Sequence, residues 1–311
     1  MKRIRTALVL GPAAVLAMST VAHAVTIGVS FPDGNTQDAV VKEFDAAKAE
    51  AKKQGVTLVI DDPGSDLAKQ KQVLDAWIQK KFDAIVVQAK DPKTLEATAK
   101  KARAAGVKWI TYAGAMQNQD ATLGFDHVKG GCAIGTEAGK FITTKLGGKA
   151  KVAFLTWETG QWARSRRSGI ESCLKKTAPG AQIVARQEAV DVTGGAKVGR
   201  AILQKNPDIN VVLAVEETAT EGFYQALGSK KKDPKIFLAG IDGTPTALKL
   251  IRAGNNAYRA SAALNLVSVG QGMVKLPQQL LKGKKGDYLV PLELVTPKDK
   301  ALLDKYIKIL S

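Results

Sequence analysis

The run Val25-Thr26-Ile27-Gly28-Val29-Ser30 is short and rich in β-branched residues, and together with the two segments after it this run decides the fold. Residues 38–54 repeat apolar side chains at helical spacing and stop at Gly55; residues 56–60, VTLVI, are β-branched again. A strand, a helix closed by glycine and a second strand make a βαβ unit. Its strands are apolar runs rather than alternating ones. That pattern predicts burial on both faces, and hence a parallel sheet covered by helices.

The alternation continues outward from this unit. A helix is expected over residues 65–80, a strand over 83–88, a helix over 92–105 and a strand over 107–112, with Pro92 at a helix start and Gly106 past its end. A second run begins near Ala121. Strands are expected over 151–156, 183–189, 211–215 and 236–241, separated by helices over 130–146, 161–177, 194–205 and 218–227. The fold class is therefore α/β, with two doubly wound parallel-sheet lobes. DAIVVQA at 83–89 and INVVLAVE at 209–216 are each followed by a helix, a weak sign of duplication. Doubly wound sheets bind ligands outside the carboxyl ends of their strands, so functional residues are expected just after each strand.

Residues 1–24 read as an export signal: Lys2, Arg3 and Arg5 precede an apolar stretch, and Ala22-His23-Ala24 supplies small residues for cleavage after Ala24. The apolar stretch is short for a membrane span and is broken by Gly11-Pro12. The expected compartment is the periplasm. The formal charge of +17 includes those three leader charges, and the rest is mostly Lys spread over helices, as at Lys48, Lys52 and Lys53. This lacks the Arg-rich stripe and interleaved aromatics of a nucleic-acid face, so no nucleic-acid partner is expected. Cys132 and Cys173 would meet an oxidising compartment, where a disulfide and two buried thiols are both open readings. His127 is the one His after the leader, and no metal-ligand spacing surrounds it. No cofactor is expected.

Catalytic motifs fail on inspection. Gly135-Thr136-Glu137-Ala138-Gly139-Lys140 is one residue short of a phosphate loop and puts Phe141 where a hydroxyl is needed, so it reads as a helix with small residues. Phe31-Pro32-Asp33-Gly34-Asn35 replaces the glycine cradle of a dinucleotide site, and His127 has no evident partner for a triad. One enzymatic hint remains. Glu158, Glu216, Glu217 and Asp242 all follow expected strands and could converge for glycosidase chemistry, or equally accept hydrogen bonds from ligand hydroxyls.

Gly240-Ile241-Asp242-Gly243-Thr244-Pro245 at a strand end, with Ala247-Leu248 in the next helix, resembles the sugar-binding proteins of the ribose-binding type, type I periplasmic binding proteins that serve ABC transporters. The similarity extends to the opening strand, to Gly130-Gly131, to the segment from Ala163 to Gly169 and to Gly222. It implies a three-crossing hinge near residues 125–128, 263–266 and 288–292. One lobe would then comprise 25–126 with 265–291, and the other 127–264 with 292–311. It also implies a monomer that closes on a small polar ligand, a sugar or polyol, and is read by a membrane permease and in some cases a chemoreceptor.

Residue by residue, Asp242 matches the family aspartate that takes two sugar hydroxyls, and Arg166 the arginine of the second lobe. Ala113-Gly114 stands where the family commonly has Asp-Arg, Glu216 where it has Asn, and His127 where it has another Asn; Asn265 is the nearest candidate for a late Gln. The expected pocket adds Phe31, Asp33, Asn35 and Gln37 from the first loop, with Tyr112, Trp157 and Trp162 as aromatic walls. These departures point away from ribose. An amine-bearing or furanose-like signalling ligand and a glycoside-processing enzyme are the alternative readings.

Overall fold

A computed structural model describes residues 24–310; the expected leader, apart from Ala24, lies outside the described residues. The chain runs β1 (Thr26–Ser30), α1 (Asp38–Gln54), β2 (Thr57–Asp61), α2 (Leu67–Gln79), β3 (Ala84–Val87), α3 (Pro92–Ala104), β4 (Lys108–Tyr112) and β5 (Ala121–Phe125). It continues α4 (His127–Lys145), β6 (Lys149–Thr156), α5 (Gln161–Thr177), β7 (Gly180–Glu188), α6 (Val192–Lys205), β8 (Val211–Ala214), α7 (Glu217–Ala226), β9 (Phe237–Asp242) and α8 (Pro245–Ala253). It ends β10 (Tyr258–Ala263), α9 (Leu266–Leu281), β11 (Tyr288–Val290), β12 (Glu293–Val295) and α10 (Lys300–Leu310).

Two six-stranded sheets result, ordered β11-β5-β4-β3-β1-β2 and β12-β10-β9-β8-β6-β7. In each the first strand lies inside and the order reverses around it, the doubly wound arrangement the alternation predicted. The central strands β3 and β8 are buried along their whole length. The edge strands depart from the two-faced burial expected of them: no residue of β2 is fully buried, and in β7 most residues are exposed, Ile183 and Val184 among them. Only one neighbour, β6, shields it. β12 is the other departure: it pairs antiparallel with β10. The chain leaves the first sheet at Val290 and enters the second at Glu293, and a strand that runs toward the cleft in one sheet runs away from it in the next.

Three chain passages join the sheets, at Asp126, at Leu264 and Asn265, and at Pro291 and Leu292. Helix caps secure two of them. The Asp126 carboxylate accepts from the Lys129 N–H at 3.1 Å, which starts α4 earlier than its glycines suggested, and the Asn265 side chain accepts from the Ser268 N–H at 3.0 Å. Asn265 also donates to Glu293 at 3.0 Å, which ties two passages together.

α4 and α5 pack backbone to backbone. A Cβ on Gly131 would overlap the Arg166 carbonyl, and one on Gly169 would overlap the Val128 carbonyl. Gly135, from the rejected phosphate loop, faces the Ile170 carbonyl in the same seam. Cys132 and Cys173 form a disulfide across it, with Cα atoms 5.1 Å apart, which decides between the two readings left open by the sequence. The first lobe has a different buried tie: the Tyr112 hydroxyl lies 2.9 Å from both oxygens of Glu43, and burial pushes the Glu43 carboxyl up to about 8 despite that hydrogen bond.

Both features can be tested on stability. Gly131→Ala removes a weak helix former, yet the added methyl must displace a backbone carbonyl; a net destabilisation of about 1–3 kcal/mol in denaturant melts is expected. Because folding raises the Glu43 pKa, the folded state holds a proton that the unfolded state has lost, so Glu43 makes stability fall as pH rises from about 4.5 to about 8. Glu43→Gln should flatten that part of the stability–pH curve, and an unchanged slope would refute the assignment.

Candidate functional site

The carboxyl ends of β6, β8 and β9 and the first turns of α4 and α5 converge on one guanidinium. Arg166 is buried, and its Nη1 donates to the Val215 carbonyl at 2.8 Å and lies 2.8 Å from Asp242 and 3.8 Å from Glu216. Its Nε donates to His127 Nδ1 at 3.2 Å, and the Trp162 ring centroid lies 4.5 Å from its Cζ. An acceptor nitrogen must be unprotonated. Burial, and then the Arg166 charge, push the His127 pKa down to about 3 against the opposing pull of Asp126. Trp157 meets Trp162 edge to face at 5.0 Å, and both rings are half-buried. The sequence thus names every side chain of this cluster, though not the Val215 carbonyl, and the structure brings them together.

The four carboxylates do not converge as a set. Glu158 pairs with Arg167 at 3.2 Å, away from the cluster. Glu217 is fully buried and accepts from the Tyr258 hydroxyl at 2.6 Å, the Gly243 N–H at 2.8 Å and the Ser261 hydroxyl. Burial raises its pKa to about 7 although those three donors oppose the rise. Glu217 is therefore part of the frame under the cleft, and nothing in its strand-end position distinguishes it from Glu216.

Asp242 ends β9 at φ 141°, a backbone state that favours glycine and is held here by its surroundings. It does not cap the following helix. Thr244 does, accepting from the Ala247 N–H at 3.3 Å, and this leaves Asp242 for Arg166 and for the Glu217 N–H at 3.3 Å. Glu216 lies 3.8 Å from the same Arg166 nitrogen, and burial, then the Asp242 charge, raise its pKa against the opposing pull of Arg166.

The first-lobe candidates are less unified. Phe31 is buried and packs edge-on against Phe44 and Tyr112, whose centroids are 5.7 and 5.0 Å away. With its hydroxyl on Glu43, Tyr112 has no polar tip left for a ligand. Asn35 and Gln37 are exposed, and Gln37 donates to the Asp33 carbonyl at 3.1 Å. Asp33 has φ 57°, accepts from Ser65 at 2.9 Å and lies 3.5 Å from the Lys90 ammonium. The organiser of this loop is Asp62, which no sequence motif marks. It accepts the N–H groups of Asp33, Asn35 and Gly64 at 2.8–2.9 Å, which together outweigh its burial and lower its pKa. Lys90 likewise falls outside the expected set, though it follows β3, where the strand-end rule would have found it.

Two cavities of about 230 Å³ open between the lobes. One has Ala113 and Gly114 on one side and His127, Gln161, Trp162 and Ser165 on the other, so the two small residues leave space in front of the aromatic wall. The other sets Asp242 and Thr244 against Ala39 and Lys42 of α1. Asn265 lies instead along the passages, beside Asp287 and Glu293.

The chain is 33% identical over 255 residues to the ribose import binding protein of Bacillus subtilis, covering 80% of each. It is 30% identical over 179 residues to the D-allose-binding periplasmic protein of Escherichia coli, 57% of this chain and 54% of that protein. Among solved structures, the periplasmic ribose ABC transporter of Conexibacter woesei superposes with a TM-score of 0.78 at 20% identity, over 91% of this chain and 95% of that one, a likeness of fold. With residues 27–285 matching the model of the periplasmic binding protein domain, a doubly wound two-lobed fold and a polar cluster set at the strand ends, the chain belongs to the periplasmic binding protein family.

Proposed function

We propose that this protein is the substrate-binding component of an ABC importer, which captures a sugar or polyol in the periplasm by closing its lobes and delivers it to a membrane permease. The observation that carries the reading is Arg166, pinned by the Val215 carbonyl and His127 and set against Asp242 beside Trp162 and Trp157. A planar donor fork next to a carboxylate acceptor matches vicinal hydroxyls, which each donate and accept, and aromatic faces cover the C–H side of a sugar ring. The ribose and allose named for the curated relatives support this ligand class. The protein is a binding component and not an enzyme.

The lobes, 25–126 with 265–291 and 127–264 with 292–311, move as two bodies about the three passages, and the ligand stabilises the closed form by touching both. Asp33, Asn35 and Gln37 approach the second-lobe cluster in that form, with Phe31 beneath them. The closed monomer is what the permease, and a chemoreceptor where one is present, would recognise. Cleavage after Ala24 frees the mature chain, and intact mass of the exported protein checks it.

Thermal shift across aldoses and polyols, their amino derivatives included, should give one or a few large stabilisations with no product formed. A flat panel sinks the reading. Asp242→Ala should weaken the best of these ligands by on the order of tenfold to a hundredfold in calorimetry, the scale of losing charge-assisted hydrogen bonds.

A further inference from the structure

We propose that the ligand carries an ammonium group, seated against the paired carboxyls of Glu216 and Asp242: an amino sugar or amino-polyol. The inference rests on the sugar or polyol reading and narrows it.

Charge and hydrogen-bond donors are unevenly matched around Glu216. Its carboxyl and that of Asp242 lie 3.8 and 2.8 Å from the same Arg166 Nη1, and two ionised carboxylates crowded on one guanidinium nitrogen call for a further proton or cation. The nearest cation serves the two unequally and supplies one charge against two carboxyls. Arg166 Nη1 is directed to the Val215 carbonyl and Asp242, each at 2.8 Å, and stands 3.8 Å from Glu216, while its Nε is spent on His127. His127 accepts that bond and is neutral, so it adds no charge. Glu217, the next residue along, adds a third buried carboxyl below the pair. Across the cleft, Lys90 is engaged with Asp33 at 3.5 Å. Lys42 shares a cavity wall with Asp242, but among the described residues no ion pair joins them.

Glu216 and Asp242 nevertheless keep some access to solvent, with side-chain exposures of 15% and 22%, against 4% for Arg166. A ligand can therefore reach the pair. An ammonium offers three donors and a full charge in place of one proton, whereas a neutral hydroxyl offers one donor and no charge. The aromatic wall beside the cluster already receives one cation, the Arg166 Cζ lying 4.5 Å from the Trp162 ring centroid.

The test is calorimetry at pH 7.5 on the wild-type protein with matched pairs of probes that differ by one hydroxyl-to-ammonium exchange: D-glucose and D-glucosamine, D-ribose and its 2-amino-2-deoxy derivative, and an inositol and its monoamine. In at least one pair the amine should bind about tenfold or more tightly, the scale of one uncompensated charge contact. Because the unliganded pair holds a proton that the ammonium displaces, binding of the amine should release close to one proton, read from the dependence of the heat on buffer. Its affinity should fall as pH is lowered from 7.5 to 6. Glu216→Gln, which mimics the protonated carboxyl, should erase the amine's advantage and the proton release together. Neutral probes that bind as tightly as their amines, without proton release and unaffected by Glu216→Gln, would overturn the ammonium and leave the sugar reading standing. A panel in which no member of any pair binds would overturn both.

Discussion

The seam between α4 and α5 is the constraint on which the site depends. Helices packed through ordinary side chains lie some 8–10 Å apart; here Gly131, Gly135 and Gly169 let the backbones touch, and the Cys132–Cys173 disulfide crosses the same seam. His127 opens one helix and Arg166 sits in the second turn of the other, so the close approach puts an imidazole acceptor against the guanidinium Nε. Larger residues in the seam would separate the two. The strands then supply the remaining partners: β8 brings the Val215 carbonyl, β9 brings Asp242, and the turn into α5 brings Trp162.

A buried guanidinium is costly unless its donors are met, and Arg166 meets that condition with a carbonyl, a neutral imidazole and a carboxylate. The arrangement also explains the state of each neighbour. His127 is kept neutral by its burial and by the charge beside it, and Asp242 is held at an unusual φ where Glu217 accepts the Gly243 N–H and Thr244 caps the next helix. The polar frame beneath, built on Glu217, Tyr258, Ser261 and the Gly243 N–H, joins β9, β10 and α7 into one support. Binding residues thus stand on rigid strand ends and helix starts in the second lobe, whereas the first lobe offers the Asp62-organised loop and the Lys90–Asp33 pair. That asymmetry suits a protein in which one lobe orients a ligand and the other closes over it.

The tie between passages has a related consequence. Asn265 caps α9 and reaches Glu293 at the start of β12, so the second and third passages are coupled near the cleft floor. Asn265, expected at the hinge as well as in the pocket, is in this structure a joint between lobes.

Much of the molecule is legible in the chain itself. The βαβ alternation and its β-branched runs are local properties, and they determined the α/β class, the two lobes and the strand-end location of function, because propensity and periodicity need no distant partner. Arg166, Asp242, Trp157 and Trp162 could be singled out by pattern and resemblance. Tertiary structure alone decided which strand-end carboxylate faces the cleft: Glu216 and Glu217 are adjacent and chemically alike, and only the positions of Tyr258, Ser261 and Gly243 commit Glu217 to the frame. Likewise Tyr112 has the character of a pocket wall until Glu43, distant in sequence, takes its hydroxyl. The cysteine pair, ambiguous as thiols, became a disulfide once the glycine seam brought its Cα atoms to 5.1 Å. In each case the deciding partner lies far away in the chain, and a residue's local pattern carries no information about which distant group will meet it.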